Sequence, residues 1–263
     1  MKKTLIALAV AASAVVSGSA VAAWTPDGNG GVITVGGSIT PENKTPWEVW
    51  LGSNVQNLNS TVVKGESTAS ININESIPVL GIRTVTNNVF SGGPGISPQI
   101  NYGQAVDVDG FSGGISHLNL DIKDKTGNAK IGSISVPFAA AALASWSNEA
   151  NGNKGNRALY AEMPGDGFFG GLGKGTDKIA TSAEAVNIID SLNAEFSANY
   201  NNQGVKLASY GQTEKFSAAS LKFSGYYGAG ILAGSKATIT LDTPAGTDNI
   251  EWTATFPISV SYQ

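Results

Sequence analysis

The sequence predicts an all-β fold interrupted by one helical insertion, and three observations carry that prediction. Apolar and polar residues alternate with a period of two along most of the chain, the mark of strands with one buried face. Glycine is plentiful at 33 residues while charged residues make up only 14%, a balance that suits short strands joined by turns better than a helical bundle. A single stretch near 181–197 carries a helical period instead. The 41% hydrophobic content can offset the entropy of ordering, which disfavours a disordered low-complexity chain.

Met1 is followed by Lys2 and Lys3, an apolar run from Leu5 to Val16, and the small-residue stretch Ser17 to Ala23. These are the three parts of a secretory signal peptide, assigned to residues 1–23. The apolar run is too short for a membrane anchor, which needs about 20 residues. Cleavage fits after Ala22 or Ala23; Ala23 is preferred and leaves Trp24 first. Taking 23 residues from 263 leaves 240, enough for one large all-β domain or one domain with an insertion. Loss of Lys2 and Lys3 lowers the basic count from 16 to 14 against 20 acidic residues, a net charge of −6. A mildly acidic chain without a basic cluster is a poor match for nucleic acid. With no cysteine, an exported chain has neither disulfides nor thiolate chemistry and is held by packing alone.

Strands are expected near 45–52, 68–73, 77–86, 97–109, 115–123 and 129–138. Leu118, Leu120 and Ile122 share one face of their strand, as do Ile134, Val136 and Phe138 of theirs. The turn Lys125-Thr126-Gly127-Asn128 joins the two as a hairpin. Ala139–Ala144 reads as strand or helix, and 146–178 is crowded with Gly, Asn and Lys, the composition of a long functional or mobile loop. Thr181 and Glu184 fit a capping box that opens a helix reaching about Ser197. Ala185, Ile188, Ile189, Leu192 and Phe196 form its apolar stripe. The expected organisation is therefore a signal peptide (1–23), an extended N-terminal segment (24–40), and a sandwich domain (41–263) with an insertion at about 139–202. Strands resume at 204–209, 214–227, 231–242 and 249–262.

The two ends carry the strongest local patterns. Ile250, Trp252, Ala254, Phe256, Ile258, Val260 and Tyr262 all fall on one face of a terminal strand. Pro257 inside the run cannot donate to a ladder and favours an edge. An ordinary core-facing strand accounts for this pattern as well as a binding edge does. At the other end, Trp24–Gly31 reads as a polar, Gly-rich lead, followed by Ile33, Val35, Gly37 and Ile39 on one face of GVITVGGSIT. A segment of this kind can add as a strand to another copy.

Several features together resemble the FaeG-type fimbrial subunits of enterotoxigenic bacteria. They are the stretch from Trp24 through Gly36-Gly37-Ser38-Ile39-Thr40, the strand Trp47-Glu48-Val49-Trp50, the loop Phe168-Phe169-Gly170-Gly171-Leu172 and the Tyr-ending terminal strand. The resemblance spans the chain and is loosest between about 53 and 200. It implies an incomplete immunoglobulin-like β-sandwich of pilin type, exported through the periplasm with a periplasmic chaperone and an outer-membrane usher and displayed at the cell surface in a fimbrium. The missing strand would leave a groove beside Ile250, Trp252, Phe256, Ile258, Val260 and Tyr262, filled first by the chaperone and then by Ile33, Val35, Gly37 and Ile39 of a neighbouring subunit. The penultimate Tyr262 matches pilins generally; the Gly that many place fourteen residues from the end is Ile250 here. Burying three such aliphatic donors is worth a gross gain on the order of 5–9 kcal/mol, partly offset by ordering the segment.

Marks of catalysis are few, and no enzyme activity, cofactor or metal is expected. His117 is the only histidine and reads as a surface or edge residue. Gly165-Asp166-Gly167-Phe168-Phe169-Gly170 spells a dinucleotide fingerprint but follows Pro164 in place of a strand and opens no helix. Lys174 is followed by Gly175, so the phosphate-loop signature fails. Asp107-Val108-Asp109-Gly110 holds only part of a calcium loop. The resemblance adds one alternative to a purely structural role: binding of host galactose-containing glycans through the insertion, with Trp146, Arg157, Tyr160, Phe168 and Phe169 as candidates. Rings in such a loop also serve to pack it down.

Overall fold

The structure, a computed structural model, describes residues 36–38 and 45–263. The chain divides into two compact units, Met1–Glu42 and Asn43–Gln263. Of the first, residues 36–38 are exposed and lack regular structure, so Gly37 is described while Ile33, Val35, Ile39 and the signal peptide lie outside the described residues. All elements that follow belong to the second unit.

Strands β1 (Trp47–Leu51), β2 (Thr68–Asn72), β3 (Ile77–Thr84), β4 (Phe90–Ser91), β5 (Pro98–Asn101), β6 (Ile115–Asp124), β7 (Lys130–Asn148) and β8 (Lys154–Ala158) precede the helix α1 (Ser182–Asn193). Strands β9 (Leu221–Ile231), β10 (Lys236–Leu241), β11 (Trp252–Ala254) and β12 (Ser259–Tyr262) follow it. All pairings between these strands are antiparallel, and the 19-residue β7 organises them. Its first half lies between β6 and β10, with Leu118 opposite Val136 and Ile239 opposite Ile134; β11 and β2 lie outside these neighbours. Its second half lies between β9 and β8, with Ala140 opposite Ala229 and Leu143 opposite Ala158; β3 and then β1 extend beyond β9. Ile71, Leu118, Ile122, Ile134 and Val136 from the first group and Leu80, Ile82, Phe223 and Tyr227 from the second meet in one core. The result is an all-β sandwich with a small helical insert.

The alanine run that reads as strand or helix is strand. Alternate residues serve different cores: Ala140, Ala142 and Ala144 face the main core, while Ala139, Ala141 and Leu143 face a second cluster beneath α1. With both faces buried and β9 and β8 on either edge, tertiary packing overrides the helix preference of alanine. Residues 139–148, which the pattern assigns to the insertion, therefore belong to the sheet, and the stretch outside it runs from 159 to 220. Small residues also let the 3-10 turn that follows α1 approach the sheet closely. A Cβ on Gly81 would stand 2.3 Å from the Phe196 ring.

The capping box is present in both directions: Glu184 N donates to Thr181 Oγ1 at 3.4 Å and Thr181 N donates to the Glu184 carboxylate at 3.0 Å. The Thr181 hydroxyl, donating to the Glu184 carboxylate at 2.8 Å, and after it the Thr181 amide hold that carboxyl below its usual range. Ala185, Ile188, Ile189, Leu192 and, on a following 3-10 turn, Phe196 are all buried as the stripe predicts. In the β6–β7 hairpin, Asp124 accepts bonds from the Thr126 and Gly127 amides at 2.9 and 2.6 Å and from the Thr126 hydroxyl at 2.6 Å. Its carboxyl too is held low by these bonds, that from the Thr126 hydroxyl first.

Three expected strands are corrected. That near 214–227 begins only at Leu221 and runs on to Ile231. Of 97–109 only 98–101 is a ladder strand; residues 105–107 instead bond back to β6, Asn119 N to Ala105 O at 2.7 Å and Asp107 N to His117 O at 3.2 Å. Segment 204–209 is irregular because it runs along β8, where Asn156 Nδ2 donates to Val205 O and Ala208 N donates to Asn156 O. No helix among the described residues is long and apolar enough to cross a membrane.

Candidate functional site

The terminal alternating run divides between two partners. Its first part, β11, pairs with β6, Thr253 opposite Lys123; its second, β12, pairs with β5, Val260 opposite Ile100. The intervening residues 255–258 carry no ladder, because the 105–107 turn already occupies the edge of β6 along which the strand would continue. Pro257, with no N–H to lose, stands at this change of partner.

Side chains of Trp252, Ala254, Phe256, Ile258, Val260 and Tyr262 are half-buried against the main core, while Thr253, Thr255, Pro257, Ser259 and Ser261 are exposed. Ile250 does not share this row; it precedes β11 and is 37% exposed. Phe256 packs on Tyr102 and Phe138, with ring centroids 5.4 and 5.9 Å away. The floor beneath it is fixed by a buried tyrosine pair, Tyr102 and Tyr227, whose hydroxyls lie 2.6 Å apart, with Tyr227 donating to Gly171 O at 3.0 Å. Burial pushes both hydroxyls well above the ordinary tyrosine value, so they stay neutral hydrogen-bonding groups. The Tyr262 hydroxyl is also raised by burial, against a bond with Thr45 that lowers it. Among the described residues, no strand pairs the second edge of β11 or β12.

The residues considered for glycan binding do not converge. Trp146 on β7 and Arg157 on β8 come together, the guanidinium 5.5 Å from the ring centroid, and Arg157 also reaches Gln212 and, at 3.6 Å, Glu214. Burial raises the Glu214 carboxyl, with Arg157 opposing it. Tyr160 is half-buried and bonded through its backbone to Gln212. Phe168 is a correction: it is fully buried, stacked on Tyr227 and edge-on to Trp47 and Phe216, so its ring offers no face to a ligand. Phe169 is half-buried on the same core and accepts a bond from Ile100 N at 2.8 Å. A separate cleft of about 440 Å³ is lined by Asn87, Asn156, Asn201, Asn202, Tyr200 and Tyr226 among others.

A family model described as "Fimbrial, major and minor subunit" matches residues 1–263. The chain belongs to this K88-type fimbrial family. It is 30% identical to the F41 fimbrial protein of Escherichia coli and 30% identical to the K88 fimbrial protein AC of the same organism, each match covering 100% of both chains. It is also 35% identical to the E. coli K88 fimbrial protein AD over 187 residues, 65% of this chain and 64% of that one. The resemblance read from the two ends and the Phe168–Leu172 loop is thus borne out, and the chain is a structural fimbrial subunit of the cell surface.

For a fimbrial subunit the terminal face is the feature to explain, and local spacing could not show which residues of other segments lie beneath it. Tyr102, Gly103 and Phe138 belong to other segments and meet Phe256 or Pro257 only through the fold. His117 is exposed on β6. Among the described residues, no three or more His, Cys, Asp or Glu side chains gather as a metal-binding group.

Proposed function

We propose that this subunit polymerises by donor-strand exchange: residues 24–40 of one copy, with Ile33, Val35, Gly37 and Ile39 facing inward, add to the open edge of the terminal strand of the next. In this reading the sandwich is immunoglobulin-like and short of one strand, a periplasmic chaperone occupies the same edge first, and an outer-membrane usher directs the exchange. The observation that carries it is the row Trp252 to Tyr262. Six successive inward positions are half-buried rather than buried, beside an edge that no described strand pairs. An added strand would bury the rest of that face and satisfy the edge peptide groups.

Deleting residues 24–40 tests the reading. The truncated subunit is expected to bind its chaperone and form no fibres; fibres of normal length would refute the assignment. Grafting the same segment onto the carboxy terminus through a flexible linker should give a soluble monomer that melts above the truncated form.

A second reading is adhesion to host galactose-containing glycans through the insertion; the cleft combines asparagine and tyrosine side chains with Leu143, Val186 and Leu207, and Asn156 and Asn201 already commit polar atoms to Tyr200, Val205, Asn87 and Gln203. The Trp146–Arg157–Tyr160 region is the other candidate surface. Glycan-array binding by the grafted monomer decides it, and an array without signal retires the adhesin reading.

A further inference from the structure

β5 is bonded along both edges. One edge carries the ladder to β12, closed by reciprocal bonds between Ser97 and Gln263 at 2.9 and 3.1 Å. The other receives loop 162–172 of the insertion, where Phe168 N donates to Pro98 O at 2.7 Å and Ile100 N donates to Phe169 O at 2.8 Å. Gln99 joins the two sides. Its backbone lies opposite Ser261 of β12, while its buried side chain enters the loop. There Nε2 donates to Asp166 O at 2.9 Å, and Oε1 accepts from Gly165 N at 3.0 Å. Asp166 in turn folds the loop by accepting from the amides of Glu162 and Met163 at 2.9 and 3.1 Å.

We infer that filling the open edge of β12 orders loop 162–172 of the insertion through β5, with Gln99 as the coupling residue. The inference rests on the donor-strand reading. β12 is four residues long and, among the described residues, β5 is its one ladder neighbour. Opening β12 frees one edge of β5 and loosens the backbone from which the Gln99 side chain holds the loop. A strand that binds only the closed arrangement suppresses that opening by mass action, and every amide whose exchange depends on the opening slows with it. The insertion therefore presents a stiffer loop in an assembled subunit than in a free one.

Hydrogen exchange of the mature chain, alone and with a synthetic peptide of residues 24–40, tests this. At a peptide concentration a hundred times its Kd, amides of both 259–263 and 165–171 are expected to slow by on the order of a hundredfold. In Gln99→Leu the terminal strand should still gain protection, while amides 165–166, which depend on the Gln99 side chain, gain less than those of 168–171, which β5 still holds through its own backbone. Gln99→Glu, which keeps the acceptor for Gly165 and loses the donations, serves if the leucine variant does not fold. Protection that rises at 259–263 and stays flat at 165–171 in the parent would overturn the coupling alone. No protection anywhere in 252–263 would overturn the donor-strand reading and the coupling with it.

Discussion

The ring of Pro257 lies over Gly103 so closely that a Cβ on residue 103 would come within 2.6 Å of Pro257 Cγ. Gly103 also adopts φ +57°, a left-handed backbone that side chains resist. The contact fixes the place where the terminal strand leaves β6 for β5. Gly103→Ala should therefore cost about 1–3 kcal/mol through strain and collision together. Adding Pro257→Ala should recover part of that loss in urea unfolding, because it removes the colliding atom; no recovery would mean the backbone strain acts alone.

The seam between the 3-10 turn after α1 and the sheet depends on a missing side chain. Gly81→Ala would place a methyl group inside the Phe196 ring contact, and an overpacked core of this kind loses about 1–3 kcal/mol. A thermal melt within error of the parent would show that the turn slides away without loss.

Val260 and Ser261 are neighbours with opposite exposure. Val260→Asp puts a charge on the half-buried face, where covering it by a chaperone or a donor strand would cost several kcal/mol, and surface yield should collapse. Ser261→Asp should leave yield near normal. Equal yields from the two would place the row in solvent throughout assembly.

Acid should loosen the helix start and the β6–β7 turn before the core. The carboxyls of Glu184 and Asp124 titrate below their unfolded values, so each adds stability that is present above the unfolded value near ~4. That stability is lost as pH falls through the lower folded value. The double variant Glu184→Gln, Asp124→Asn should melt lower at neutral pH and show a flatter dependence of melting temperature between about pH 5 and pH 2.

Much of the architecture was legible because its signals are local. The capping box and stripe of α1, the β6–β7 hairpin and the even-numbered terminal face each follow from spacings within one segment. What was hidden depends on neighbours far along the chain. Ala139–Ala144 becomes strand because one face meets the main core and the other meets α1. Phe168 looks like an exposed loop aromatic until Trp47, Phe216 and Tyr227 close around it. The break at 255–258 has no local cause beyond Pro257; it arises because residues 105–107 reach β6 first. Ile250 keeps the right parity yet lies ahead of the ladder, since alternation states which face a residue takes and not where pairing begins.

The shared strand β7 has a mechanical consequence. A sandwich whose layers meet only through side chains can part layer from layer, but here one unbroken strand of 19 residues supplies both. A pull entering at β11 passes through β6 into the first half of β7 and along the same backbone to β9 and β3. The β6–β7 and β7–β9 ladders run over nine and ten residue pairs, against three for β11 on β6, so a strand at the edge gives way before the layers part. The two layers are joined by continuous backbone, a route to toughness open to a chain without cysteine.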